Sequence, residues 1–202
     1  MSLLLENKKN LPKSPIVLFQ KFWDYAIERK ILLTEATTLA TANSNGKVSA
    51  RIVLLKHFNE EGFTFFTNYK SKKGKQISEN DNAAMVIHWK ELELQIRIEG
   101  KLEKTNNETS NRYFLSRPEG SKVGAWASKQ SSILECREEL EQKVIEYVKF
   151  FKDNPLTRPE YWGGYILEPD LIEFWQGRQD RLHDRIEYKK EAGKWNICRL
   201  AP

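Results

Sequence analysis

Apolar residues in this chain recur with two different periods, and each period predicts a different kind of element. Between residues 92 and 102, Leu92, Leu94, Ile96 and Ile98 alternate with Glu93, Gln95, Arg97 and Glu99. A period of two this regular predicts a strand with one face in a core and the other polar. Residues 14–29 follow the helical period instead. There Ile16, Phe19, Trp23, Ala26 and Ile27 share one side, and Ser14-Pro15 places proline at the first helical position. Leu134, Leu140, Val144, Val148 and Phe151 predict a longer amphipathic helix. Ser132 and Glu135 stand before it at the spacing of a capping box.

Shorter segments complete the outline. Strands are predicted at 38–42, 48–58, 63–67 and 83–89, with Ser44-Asn45-Gly46 as a turn and Gly62 opening the third strand. A basic stretch at 70–75 enters a short helix that ends near Asn80, and two helical segments cover 107–116 and 118–127. Asn154-Pro155 and Arg158-Pro159 read as a linker. Strands follow at 164–168, 171–176, 182–190 and 195–199, the last two joined at Ala192-Gly193. Antiparallel strands with helices between and around them indicate the α+β class, as a barrel or sheet. No glycine-rich βαβ fingerprint is present, which argues against a doubly wound dinucleotide fold.

Composition narrows the function classes. The 202 residues fit one domain with helical additions, and 40% hydrophobic with 11% aromatic content describes a globular chain. The longest apolar runs, such as Ile52-Val53-Leu54-Leu55, are too short to cross a bilayer. Leu3-Leu4-Leu5 is followed at once by Glu6, Asn7, Lys8 and Lys9, so no secretory h-region is seen. Together with two distant cysteines, Cys136 and Cys198, this sets the expectation of buried or idle free thiols in a cytoplasmic protein. His57, His88 and His183 are scattered, and no metal site is expected. A net charge of +5 suits a nucleic-acid surface or a handful of phosphate-binding side chains equally well.

Four clusters could carry chemistry. Arg51-Ile-Val-Leu-Leu-Lys56 places a cation at each end of an apolar run. They have opposite parity, so only a bulge or a ligand along the strand edge would let both meet one anion. The competing reading is a core strand with solvated ends. Lys72 and Lys73, in Asn68-Tyr-Lys-Ser-Lys-Lys-Gly74, follow a strand and open a helix, where a phosphate could meet the positive helix end. Solvated lysines are the plainer alternative. Tyr113, Arg117 and Ser121 recur at intervals of four, with Pro118 turning the chain at Arg117. Their donors suit a phosphomonoester, although a packed Tyr beside a surface Arg has the same spacing. In Arg181-Leu-His-Asp-Arg185, a strand would put Arg181, His183 and Arg185 on one face. That face awaits either an anionic ligand or solvent. Trp175 offers a flat wall nearby, and Gln130-Ser131 precedes the long helix.

Taken in order, these segments resemble the pyridoxamine 5′-phosphate oxidase family from about Ser14 to Pro202. The resemblance rests on Arg51-Ile-Val-Leu-Leu-Lys56, Ser116-Arg-Pro118, Gly124-Ala-Trp126, Ser128-Lys-Gln-Ser-Ser132 and Trp162-Gly-Gly164. It rests also on Glu173-Phe-Trp-Gln-Gly177, Arg181-Leu-His-Asp-Arg185 and Arg199-Leu-Ala-Pro202. It implies a split β-barrel over 14–202, mostly antiparallel with flanking helices, after a mobile segment at 1–13. It implies FMN bound at the interface of a homodimer, with no nucleic acid or membrane partner.

By the same resemblance, Arg51, Ile52, Val53, Leu54, Leu55, Lys56, Phe66, Thr67, Lys72, Lys73, Gln95, Gln130, Ser131, Trp175 and Arg185 contact FMN. Lys56, Tyr113, Arg117 and Ser121 hold the substrate phosphate, while Arg181 and His183 lie against the pyridine ring as the catalytic pair. The implied reaction oxidises pyridoxamine or pyridoxine 5′-phosphate to pyridoxal 5′-phosphate, with dioxygen reduced to hydrogen peroxide. Three departures stand out. Residues 1–13 lack the Arg/Tyr pair of a closing segment, Lys72 replaces a usual arginine and its fork, and Leu94 replaces a frequent arginine. A carrier that binds without turnover and a nucleic-acid module are the alternatives from other classes.

Overall fold

Among the residues described by the computed structural model, Leu5 and 11–202, nine strands make one antiparallel sheet and five α-helices surround it. The strands are β1 (Ala36–Ala42), β2 (Val48–Leu54), β3 (His57–Asn59), β4 (Gly62–Asn68), β5 (Asn82–Trp89), β6 (Leu94–Lys104), β7 (Trp162–Gln176), β8 (Asp184–Glu191) and β9 (Lys194–Leu200). The helices are α1 (Pro15–Glu28), α2 (Lys72–Glu79), α3 (Asn107–Ser116), α4 (Glu119–Ala127) and α5 (Arg137–Asp153). The sheet runs β2-β1-β5-β6-β7-β4-β3, with β8 also on β7 and β9 on β8. β6 lies along one edge of β7, while β4 and β8 divide the other between its two ends.

The expected strand over 48–58 is broken. After Leu54 the chain leaves β1, the Leu55 N–H donates to Glu35 O, and the Lys56 N–H donates to Thr64 O on β4. Two residues thus connect the two ends of the sheet path, and the sheet must curl to allow it. This is the split barrel expected from the sequence. The break also resolves the parity of Arg51 and Lys56, since they do not belong to one regular strand.

The core follows the pattern read from the sequence. In β6, Leu94, Ile96, Ile98 and Leu102 point inward, and Ile96 stands opposite Ile87 on one side and Phe174 on the other. Phe174 continues the row to Ile186 and meets Phe22 of α1 at 5.8 Å. α1 is capped by Ser14, whose hydroxyl accepts from the Ile16 N–H, and it buries Phe19 against Phe58 and Phe63. Leu94, where an arginine was expected from the resemblance, belongs to this core. Leu5 is fully buried too, and the Tyr188 hydroxyl donates to Pro12 O. The remainder of the expected mobile segment, 1–4 and 6–10, lies outside the described residues.

Three boundaries differ from expectation. The strands predicted at 164–168 and 171–176 are one strand, β7, with a register shift against β6 between Glu99 and Gly100. Pro169 lies opposite Gly100 there, where an added Cβ would meet Glu168 O at 2.0 Å. α5 begins at Arg137 rather than beside Ser132. The Ser132 hydroxyl instead donates to Lys129 O, closing a turn that competes with the capping box. β8 begins only at Asp184, because a 3₁₀ turn occupies Gln179–Arg181. No described helix is long and apolar enough to cross a membrane.

Truncation of the central core ring has a predictable effect. Phe174→Ala is expected to cost about 3–5 kcal/mol, because the rigid rows around it cannot close over the void. Denaturant unfolding measures this, and a loss under about 1 kcal/mol would show that the row collapses.

Candidate functional site

A cavity of about 590 Å³ opens where β2, β4 and the α3–α4 junction meet. Ile52, Val53, Leu54 and Lys56 line it from the broken strand, and Phe66, Thr67 and Asn68 line it from the end of β4. Lys73 enters from the first turn of α2, which is capped by the buried Ser71. Gly74 lets this turn lie against the Tyr69 backbone, for a Cβ there would come 2.1 Å from Tyr69 O. Tyr113, Arg117 and Ser121 close the opposite side. As expected from Pro118, Arg117 has left the helix, with extended backbone at φ −74° and ψ 152°.

The cations lining this cavity, and Arg51 beside it, which lines neither this cavity nor the next, are short of anions. Arg117 lays its guanidinium over the Trp162 ring, 4.6 Å from the centroid, and its Nη1 is buried with no hydrogen-bond partner. Burial lowers its pKa, with Tyr113 acting in the opposite direction. Lys73 is buried with only the Thr67 hydroxyl, at 3.2 Å, as acceptor among the described residues. Burial and then the Arg51 charge lower its pKa. Arg51 spends its donors on Thr41 at 2.6 Å, Ser49 at 2.5 Å, Leu39 O and Gln76, all neutral acceptors. Lys56 has the single carboxylate, Glu35, at 3.7 Å. A buried donor without an acceptor is unfavourable unless a ligand supplies one. These residues suit a phosphate, whose oxygens accept several charge-assisted bonds.

Aromatic rings form one wall. Phe66 stacks on Tyr113 at 3.9 Å and lies nearly parallel to Trp162 at 5.7 Å. Gln130 reaches this cavity, where its Oε1 accepts from the Thr67 hydroxyl and the Asn68 N–H. Lys72 and Ser131 line an adjoining cavity of about 820 Å³, which shares Asn68, Ser128 and Gln130 with the first. Leu55 is buried in the core and does not line the cavity.

A second group of expected residues lies elsewhere. Gln95, Trp175 and Arg185 stand directly opposite one another on β6, β7 and β8, on the face turned away from the core. Arg185 donates to Glu173 at 2.8 Å and to Ala201 O, while Arg97 donates to the other Glu173 oxygen at 2.7 Å. Glu173 is only 2% exposed beneath these two guanidinium groups. Its hydrogen bond holds the Arg185 pKa above the usual value. Arg181, His183 and Arg185 do not form the expected strand face. Arg181 sits in the 3₁₀ turn at φ 62°, His183 lies just before β8, and only Arg185 is on the strand. The His183 ring packs 4.5 Å from Trp175.

Sequence reasoning quoted Trp162 and Glu173 inside motifs but assigned neither a role. Their partners, Arg117, Arg97 and Arg185, become neighbours only through tertiary pairing. No group of His, Cys, Asp and Glu among the described residues could hold a metal, and both cysteines are exposed free thiols.

Known proteins are similar to this chain in sequence and fold. Residues 25–150 match the family described as Pyridoxamine 5′-phosphate oxidase, and residues 162–202 match the Pyridoxine 5′-phosphate oxidase C-terminal dimerisation region. The pyridoxine/pyridoxamine 5′-phosphate oxidase of Cupriavidus pinatubonensis is 50% identical over 197 residues, covering 97% of this chain and 92% of its own. That of Burkholderia pseudomallei is 50% identical over 192 residues, covering 94% and 89%. Among solved structures, PhzG from Burkholderia lata 383, in complex with tetrahydrophenazine-1-carboxylic acid, superposes with a TM-score of 0.90 at 30% identity, covering 95% and 94%. A pyridoxamine 5′-phosphate oxidase-related, FMN binding protein from Nostoc punctiforme has the same fold, with a TM-score of 0.73 at 16% identity over 91% and 97%. With half its residues identical to named relatives over nearly their whole length, this chain belongs to the pyridoxamine 5′-phosphate oxidase family.

Proposed function

We propose that the protein is an FMN-dependent oxidase of vitamin B6 metabolism, cytoplasmic and homodimeric. It converts pyridoxamine 5′-phosphate or pyridoxine 5′-phosphate to pyridoxal 5′-phosphate, with release of hydrogen peroxide, and of ammonia from the amine. The observation that carries this reading is the unpartnered, buried Nη1 of Arg117 in a cavity where Lys56 and Lys73 also face few anions. A ligand bringing phosphate oxygens supplies what these donors lack.

Lys56, Tyr113, Arg117 and Ser121 hold the substrate phosphate, and Trp162 backs the Arg117 guanidinium so that its fork stays aimed. The FMN phosphate falls to Arg51, Lys72, Lys73 and Ser131, with Thr67 and Gln130 beside them. When bound, FMN supplies a two-electron acceptor for the substrate C4′ carbon and passes the electrons on to dioxygen. Holding both phosphates fixes one ring against the other, so binding energy far from the reacting carbon is used to orient it. Arg181 and His183 lie against the pyridine ring, and Gln95, Trp175 and Arg185 face the flavin.

Two copies are needed to assemble these groups. Trp162 and Trp175 occupy opposite ends of β7. At about 3.3 Å per residue, roughly 40 Å of extended strand separates them. One copy cannot fold its own far end onto its own cavity. A two-fold pair places each copy's Trp175 end over the other's cavity and makes two equal sites. The match of residues 162–202 to a dimerisation region supports this arrangement.

A second reading comes from the likeness to PhzG, whose complex holds tetrahydrophenazine-1-carboxylic acid. The 50% identical relatives and the surplus of cations favour the phosphate substrate.

Purified protein is expected to be yellow and to release peroxide with pyridoxine 5′-phosphate but hardly with pyridoxine. Equal rates from both would overturn the phosphate site. Arg117→Ala is expected to raise KM for pyridoxine 5′-phosphate about 10- to 100-fold through loss of a charged hydrogen bond, with flavin absorbance retained. An unchanged KM would remove Arg117 from substrate binding. For Arg181→Ala, turnover should fall far more than flavin retention, and steady-state kinetics beside visible spectra decide this.

A further inference from the structure

The segment between β7 and β8 carries Arg181 and His183, and it is not relaxed. Asp180 and Arg181 are consecutive residues with left-handed backbone, at φ 57° and 62°, and neither is glycine. Such a turn persists only where its surroundings enforce it. The enforcement comes from a carboxylate at the segment's end. Asp184 Oδ2 accepts from Arg178 Nε at 2.7 Å, and Oδ1 accepts from Arg199 Nη1 of β9 at 2.6 Å. One side chain thereby binds the start of the turn to its end, and both to the neighbouring strand. Arg199 donates further to Leu5 O.

The same fold of the chain selects a tautomer. The backbone N–H of Arg178 donates to His183 Nδ1 at 3.1 Å. Nδ1 must then be the unprotonated nitrogen, and the neutral ring carries its proton on Nε2. Arg178 therefore makes two contacts across the turn, with its side chain on Asp184 and its backbone on His183. Burial works to raise the Asp184 pKa, but the hydrogen bonds and charges of Arg178 and Arg199 outweigh it and hold the carboxyl low and ionised.

We propose that Asp184 is a positioning residue: by gripping Arg178 and Arg199 together, it holds the turn that presents Arg181 and fixes His183 as its Nε2–H tautomer. The catalytic consequence rests on the ring contacts assigned above to Arg181 and His183, while the grip itself does not. Asp184→Asn isolates the effect. Asparagine keeps the shape but turns an NH₂ toward one of two guanidinium groups that can only donate, so one arm is lost.

The experiment uses the flavin-loaded dimer labelled with ¹⁵N at histidine, which gives signals from only His57, His88 and His183. Long-range ¹H–¹⁵N spectra are recorded at mildly alkaline pH. The wild type is expected to show His183 as the Nε2–H form. In D184N the His183 signals should move toward the tautomer average while His57 and His88 stay in place, and kcat should fall about 10- to 100-fold. A His183 pattern unmoved in D184N, or a wild type already averaged, overturns the proposal. Should D184N fail to fold, Arg199→Gln withdraws one partner from outside the turn. It should move the same signals, and no movement there is equally decisive. A moved His183 with unchanged peroxide release would support the grip and sink the ring contacts instead.

Discussion

Between Leu54 and His57 the chain has two residues, Leu55 and Lys56, in which to pass from one end of the sheet path to the other. Even fully extended, the three steps span only about 11 Å. The end strands must therefore approach each other, and a flat sheet cannot satisfy that. Curling the sheet places the β2 end, the β4 end and the α3–α4 junction around one space. Lys56 stands at its margin because its own N–H is committed to Thr64 O. The position of this cation follows from the connection that closes the barrel.

Electrostatics then distinguishes the cavity from an ordinary surface cleft. On the β6–β9 side of the sheet four arginines are matched: Arg97 and Arg185 share Glu173, and Arg178 and Arg199 share Asp184. Arg51, Lys73 and Arg117 have no carboxylate within ion-pair distance among the described residues, although each is at least partly buried. Desolvated charge without a counter-charge is unfavourable in the isolated chain. On the function proposed above, a dianionic ligand would relieve it.

Much of the fold was legible because its signals are local. The alternation in Leu94, Ile96 and Ile98 names the buried face of β6 directly, and Ser14-Pro15 names the start of α1. Pro118 disclosed the turn at Arg117 for the same reason. What escaped depends on residues distant in sequence. No proline or glycine marks the break at Leu55, since competition between β1 and β4 for backbone bonds creates it. The left-handed turn at Asp180 and Arg181 lacks glycine and is held by Arg199, a residue on another strand. The capping-box signal at Ser132 is local, yet residues 129–132 close a turn of their own and α5 starts only at Arg137. In the site, residue types were readable one cluster at a time. Their division into a cavity and a separate row on β6–β8 was not, because it is a property of register.

The pairing of β4 with β7 also bears on how the protein is made. On one edge β4 pairs at once with the short β3, but its other edge, from Phe63 to Asn68, is paired by Trp162–Leu167, far later in the chain. While the ribosome is still translating the helices between them, that apolar strand presents an open edge of the kind that recruits other unfinished chains. Closure of that edge waits for residues 162–167, across a substantial loop-closure barrier. The nascent chain's need for protection is set by the two strands, β4 and β6, whose open edges wait for β7.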